Sequence, residues 1–382
     1  MRKQTLVTAL IALMFVLAVG LRLASFPNQN IDTRGYLNWY SQIEARGFAA
    51  LADDFSVYTP PYLYLLWLAT LVRGVLPPLT AIKLIPVLFD ALSAFAVFKL
   101  VRLKFPQGQA PWLAMAGFLL LPTILLNSAY WGQIDSLYTS FLLLCVYFLL
   151  TERPAPAMLM LGLSLSIKAQ AIFLFPFLAV LFLKKRIPWP TLLIPPLVFV
   201  VSILPAVWAG RPFMEALTIY LSQSGEFQQV SMHAPNLYSF AVGHPTWRQP
   251  IYYGGLALTA VILGGWILGY ARRRFALTPR LVLLMALLSA ALTPYLLPRM
   301  HDRYFYPADN LSYVLAFFAP SYWYVALGYQ VISSLVYALF LFRMTDQQNQ
   351  LFLLTAILLN TGMVAYLLIR QWLETRPDSP VH

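Results

Sequence analysis

Thr5–Leu23 reads TLVTALIALMFVLAVGLRL, and it is apolar on every face of a helix drawn through it. A helix of near 20 such residues spans the roughly 30 Å of a bilayer's hydrocarbon. Runs of the same character recur at Thr80–Val101, Pro111–Ser128, Ser136–Leu150, Ala155–Ile167, Ala171–Leu183, Ile187–Ala209, Ile251–Tyr270, Arg280–Leu297, Phe305–Ala319, Tyr322–Phe342 and Leu351–Arg370. They predict an all-α polytopic membrane protein with about 12 transmembrane helices. Transmembrane barrel strands alternate apolar and polar residues, and these runs do not. Composition agrees: 60% of the 382 residues are hydrophobic and 10% charged, against about 25% charged in soluble domains.

The net charge of +12 does not point to nucleic acid, because the bases stand in short clusters at the ends of apolar runs, where they act as topology signals. Cys145 is the only cysteine, which excludes intramolecular disulfides and cysteine-rich metal sites. The stretch from Met1 to Gly20 has a signal peptide's basic start but no clean small-residue cleavage site, so it is expected to be retained as the first helix.

A further apolar run, Pro61–Leu76, begins at a double proline and carries Arg73 near its end. Parity of the basic clusters decides its place. If it lies along the surface and Lys168 marks a turn between two short spans, one side collects Arg2, Lys3, Lys99, Arg102, Lys104, Lys184, Lys185, Arg186, Arg272, Arg273, Arg274 and Arg280. Both termini are then cytoplasmic. The rival topology leaves Lys168 at mid-membrane, where a charge costs roughly 2.5–3.5 kcal/mol. The preferred topology makes residues 24–79 a first outer loop with juxtamembrane helices and 210–250 a second large outer loop, within one transmembrane domain over 1–382. Acids sort to the outer side, Glu226 among them, leaving Glu152, Glu374 and Asp378 inside.

Four polar groups stand out. Asp32 precedes an amphipathic stretch containing Tyr36, Trp39 and Tyr40. Spacing alone favours Asp32 as a helix N-cap over a carboxylate base. Trp131, Gln133 and Asp135 flank Gly132 between two spans; an aromatic belt and a second cap are the plain alternatives to a site there. Lys168 is a lone cation with no adjacent acid, which calls for an anionic partner or a snorkelling role. Arg299, His301, Asp302, Arg303 and Tyr304 form a dense polar run suited to gripping phosphate, with an internal Arg–Asp pair as the alternative. Lys83 and Asp90 share a helix face and are expected to make structural pairings.

Taken in order, Asp32 with Tyr36, Trp39 and Tyr40, then Tyr58-Thr-Pro-Pro-Tyr62-Leu-Tyr64, Trp131-Gly-Gln-Ile-Asp135, Lys168-Ala-Gln170, Ala234-Pro-Asn236-Leu-Tyr238 and Met300-His301-Asp302-Arg303-Tyr304 resemble the GT-C superfamily of polyprenyl-phosphate-sugar-dependent glycosyltransferases. The likeness is greatest to bacterial mannosyltransferases related to the GPI second-mannose transferase. It implies a GT-C-like helical bundle in a multi-pass cell (inner, plasma) membrane protein, with Asp32 as catalytic base on the non-cytoplasmic face. The family often shows an acidic pair at this point; here Asp32 is flanked by Ile31 and Thr33, leaving Asp53, Asp54 and Asp135 as candidates for a second carboxylate.

The expected activity is inverting transfer of a hexose, mannose by the resemblance, from a polyprenyl-phosphate donor to a hydroxyl of a glycolipid, glycan or protein. Lys168, Arg299, His301 and Arg303 are expected at the donor phosphate. Tyr36, Tyr62, Trp131, Gln133, Asp135, Asn236, Asp302 and Tyr304 are expected at sugar or acceptor. His233, His244, His301 and His382 show no ligand spacing, so no metal or other cofactor is expected. The competing class is a transporter or flippase of a lipid-linked or anionic substrate, since cations within a helical bundle also mark substrate pathways.

Overall fold

The computed structural model describes residues 2–223, 228–241 and 245–376. Glu226, His244, Asp378 and His382 lie outside them. Each of the twelve apolar runs is helical. Among the described residues, seven helices have the length and composition of a full span: Gln4–Ser25 (in α1), Pro78–Lys104 (α4), Trp189–Ala209 (α10), Arg248–Arg272 (α13), Pro279–Leu296 (α14), Pro320–Leu341 (α16) and Asp346–Glu374 (α17). An eighth is a pair, Ala110–Leu119 (α5) and Pro122–Trp131 (α6), bent by 48° where Pro122 has no N–H to continue the ladder. Asp135–Leu150 (α7), Pro154–Ile167 (α8) and Ala169–Leu183 (α9) are shorter apolar helices, and Tyr306–Phe318 (α15) completes the set.

The run after the double proline is helical over Pro60–Thr70 (α3), 11 residues or about 16 Å, too short to cross. The amphipathic stretch of the same loop is Ile31–Arg46 (α2), which continues as a 3-10 turn, Gly47–Ala52. Among the described residues, strands are confined to β1, Ser231–Met232, pairing in parallel with β2, Met300–His301.

The chain clusters into two compact units. The first comprises residues 1–148, 155–171 and 190–226, the second 149–154, 172–189 and 227–382. In the first, charges buried between helices have dedicated partners. Arg22 on α1 donates to Asp90 on α4 at 2.9 and 3.3 Å, and Ser128 donates to the same carboxylate oxygen at 2.5 Å. Lys83 does not pair with an acid. Its ammonium donates to three carbonyls, of Asn28 (2.6 Å), Tyr130 (2.7 Å) and Ser25 (3.2 Å), which uses all three of its donors. Lys83 thereby ties the start of the first loop to the end of α6.

In the second unit α14 is buried along nearly its whole length. Ser289 on α14 donates to the Phe173 carbonyl and accepts from the Phe177 backbone N–H, which fastens α9 to it. At the far end Arg280 donates to Glu374 at 2.6 Å, joining α14 to α17.

Candidate active site

The first unit carries the site around Asp32. The N-cap of α2 is Asn30, not Asp32: the Asn30 side chain accepts from the backbone N–H groups of Asp32 and Thr33, and the Thr33 hydroxyl closes a capping box by accepting from the Asn30 N–H. The expectation that Asp32 caps the helix is therefore corrected. Asn fills that position as well as Asp does, and with the orphan donors satisfied one residue pair earlier, the Asp32 carboxylate is released for other contacts.

Those contacts come from the Trp131–Asp135 segment. α6 ends in a π-helical turn, Leu126–Trp131, closed by Gly132 at φ 85°. A β-carbon at Gly132 would lie 3.0 Å from the Thr33 side chain, so glycine is required there both for its left-handed backbone and for close approach to α2. Asn30 also donates to the Trp131 carbonyl at 2.8 Å. The segment so placed directs Trp131 Nε1 (2.8 Å) and Gln133 Nε2 (2.6 Å) at Asp32. Both bonds land on Oδ2. Asp32 is half-buried, and among the described residues its Oδ1 accepts no hydrogen bond.

The Gln133 amide has one possible orientation, because a carboxylate only accepts and so must meet the nitrogen. Its Oε1 is then turned to Tyr36 (3.2 Å) and Tyr58 (3.3 Å), whose hydroxyls are 3.0 Å apart. Tyr36, Trp39, Tyr58 and Tyr62 form an aromatic cluster with centroid separations of 5.2 to 6.5 Å. Tyr62 is fully buried, and burial pushes its hydroxyl well above the usual tyrosine range.

Lys168 and Asp135 meet. Sequence left Lys168 without an acid; the fold brings Asp135 Oδ1 to 2.5 Å from its Nζ, while Asp135 Oδ2 accepts from Asn127 at 2.9 Å. Both charges are nearly inaccessible. The ammonium also lies 5.8 Å from the Tyr58 ring and 5.7 Å from the Tyr138 ring. Tyr58 thus touches both the Asp32–Gln133 group and the Lys168–Asp135 pair. The other candidates for a second carboxylate are engaged elsewhere, Asp53 with Arg46 and Asp54 with the buried Arg211 at 2.7 Å.

The second unit carries the other polar group. Arg299 has a left-handed backbone (φ 61°) just before β2, donates its N–H to the Val230 carbonyl at 2.7 Å and stacks its guanidinium 3.8 Å from the Tyr252 ring centroid. His301 bridges to His233, itself left-handed at φ 57°, a residue that sequence spacing did not associate with the group. Arg299 and His233, two non-glycine residues in this conformation, thus stand at opposite ends of the short strand pairing. Asp302 is buried and accepts from the Arg303 N–H at 2.8 Å, with the Arg303 guanidinium 3.6 Å away; the internal Arg–Asp pair is present. The Tyr304 ring packs against His301 at 5.1 Å and Phe173 at 5.9 Å. Asn236 is fully buried; it donates to the Leu297 carbonyl at 3.1 Å and accepts from the Tyr238 N–H at 3.0 Å, fastening its loop to the end of α14.

No family model and no curated protein sequence matches the chain. In fold it is similar to ArnT from Cupriavidus metallidurans, solved with undecaprenyl phosphate bound, at a TM-score of 0.56 and 12% sequence identity, covering 95% of this chain and 77% of that one. The chain thus shares the polytopic, predominantly helical fold of ArnT.

Proposed function

We propose that this protein is a membrane glycosyltransferase that moves a hexose, mannose in the simplest reading, from a polyprenyl-phosphate donor to an acceptor hydroxyl on the non-cytoplasmic face. The observation that carries the reading is the Asp32 carboxylate, held through one oxygen by Trp131 and Gln133 and open through the other. The ArnT-like fold supports a lipid-phosphate donor, since the solved ArnT holds undecaprenyl phosphate.

In the reaction, Asp32 takes the proton of the acceptor hydroxyl as its oxygen attacks the anomeric carbon. The new C–O bond forms on the face opposite the leaving group, inverting the configuration, and the bond to the phosphate oxygen breaks to release polyprenyl phosphate. A phosphate leaves without a strong general acid, but its growing charge needs fixed donors. Arg299, His301 and Arg303 are assigned that role, the arginines for their forked donors and pH-independent charge. Lys168, neutralised by Asp135, contributes by holding Tyr58 and the start of α7 in place. Tyr36, Tyr58 and Tyr62 line the sugar side; Asp302 and Asn236 position the loops that carry their neighbours. No metal is assigned a step, and turnover that survives exhaustive chelation is the expected result.

The test is incubation of the purified protein with radiolabelled polyprenyl-phosphate-mannose and a panel of glycolipids. Appearance of a mannosylated glycolipid supports the reading, and its absence with every acceptor and with the corresponding glucose and galactose donors contradicts it.

A further inference from the structure

Gly35 lies inside α2, three residues after Asp32 and four before Trp39, so the three positions share a helix face. Glycine in a helix interior weakens the helix relative to alanine, because the unfolded chain has more freedom to lose. It persists where a backbone must turn left-handed or where a neighbour comes close. Neither holds for Gly35. Its backbone is not among those with positive φ, and a β-carbon there would meet nothing within 4 Å. The neighbouring Gly132 shows the contrast, with positive φ and a 3.0 Å approach to Thr33.

Other glycines with open space, at 20, 254, 264, 265, 269 and 362, stand on long apolar spans, where glycine is common, while Gly47 and Gly108 have positive φ and Gly74 lies in the turn after α3. Gly35 stands on the amphipathic helix of the first loop, half-buried, and its two flanking side chains are functional in type. Toward the N-terminus is the Asp32 carboxylate. Toward the C-terminus is Trp39, half-buried, whose indole packs with Tyr36 at 5.3 Å and edge-on to Tyr58 at 5.5 Å rather than covering the glycine. Asp32 and Trp39 are separated along the helix by about 10 Å, with open space over the Gly35 backbone between them.

We propose that the open space over Gly35 is the binding site for the acceptor's sugar ring, which would rest its apolar face toward Trp39 and direct a hydroxyl to Asp32 Oδ1. This rests on the reading of Asp32 as the base. Aromatic rings suit the C–H face of a pyranose as they suit other amphipathic partners, and a side chain at position 35 would occupy the ligand's volume.

The experiment compares wild type with Gly35→Ala and Gly35→Met, using octyl α-mannoside as acceptor and polyprenyl-phosphate-mannose as donor. Both replacements are better helix formers than glycine, so both variants should melt no lower than wild type. The expected result is an acceptor KM raised several-fold in the alanine variant and more than tenfold in the methionine variant, with donor KM unchanged. An unchanged acceptor KM in the methionine variant, or a change confined to donor KM, overturns the proposal. Acceptor binding is also measured without turnover, on Asp32→Asn with and without Gly35→Met. Loss of binding on adding the methionine supports the site over Gly35 even where wild type transfers no mannose, so failure of that site and failure of the catalytic reading are told apart.

Discussion

Gln133 Nε2 donates to Asp32 Oδ2 at 2.6 Å while the Oε1 of the same amide faces Tyr36 and Tyr58. The amide converts a cluster of tyrosyl hydroxyls into an aimed donor on the carboxylate. Gln133→Ala removes a hydrogen bond to a charged group, worth about 1.5–3 kcal/mol, and should lower kcat roughly ten- to a hundredfold with donor binding retained. Steady-state kinetics with separately varied donor and acceptor measure this. A rise in donor KM without loss of kcat would show that Gln133 serves the donor instead.

Tyr58 is the contact between Gln133 and the Lys168–Asp135 pair. Tyr58→Phe keeps the ring over the ammonium and removes only the hydroxyl, so it should reduce kcat less than Gln133→Ala does. Tyr58→Leu removes both and should also lower the melting midpoint. Equal effects of the two variants on kcat and on thermal unfolding would contradict this division of labour.

The Lys168–Asp135 pair is buried on both sides. Removing one partner leaves an uncompensated charge, at a cost of about 3–5 kcal/mol, whereas Asp135→Asn with Lys168→Met removes both. The double variant is expected to be more stable than either single one. Thermal melts in detergent across the four-member cycle read the coupling directly.

Asn30→Ala removes the α2 cap, which typically stabilises by about 1 kcal/mol, and also the bond to the Trp131 carbonyl. Replacing it with Asp keeps the cap and loses that bond. A fall in kcat for Asn30→Asp with thermal stability unchanged is the expected result, and an unchanged kcat would show that the link from α2 to the Trp131–Gln133 segment does not position the base.

Arg299 and Arg303 are assigned to the leaving phosphate. Arg303→Lys keeps the charge but not the fork, and both it and Arg303→Ala should weaken binding of undecaprenyl phosphate, the lysine variant less. Binding of the uncharged polyprenol should be unaffected by either. Equal loss with both ligands would assign Arg303 a structural role.

The helical, membrane-spanning architecture was legible from hydropathy, because an apolar run must satisfy its backbone internally and only a helix does so within one segment. The run after Pro60 forms a helix of 11 residues, in keeping with its length and its double proline. Partnerships were not legible. Lys168 and Asp135 are 33 residues apart and Lys83 lies 47 residues from Tyr130, and neither separation follows a helix or strand period. The Asp32 cap was misread for a local reason: Asn30 and Asp32 are equally good capping residues two positions apart, and only the backbone geometry at Asn30, extended at φ −142°, decides between them. The link between His233 and His301 was not legible because it is made through a two-stranded pairing too short to leave a pattern.

The most direct test of the central claim is single-turnover transfer from polyprenyl-phosphate-mannose by Asp32→Asn beside wild type, with the anomeric configuration of the product read by NMR. The substitution is nearly isosteric and keeps an acceptor oxygen for Trp131 and Gln133. A base in this position predicts inverted product from wild type, a rate lowered by roughly 10²–10⁴-fold in the variant, and undiminished binding of undecaprenyl phosphate. Transfer by Asp32→Asn at the wild-type rate, or retention of configuration in the product, would contradict the account.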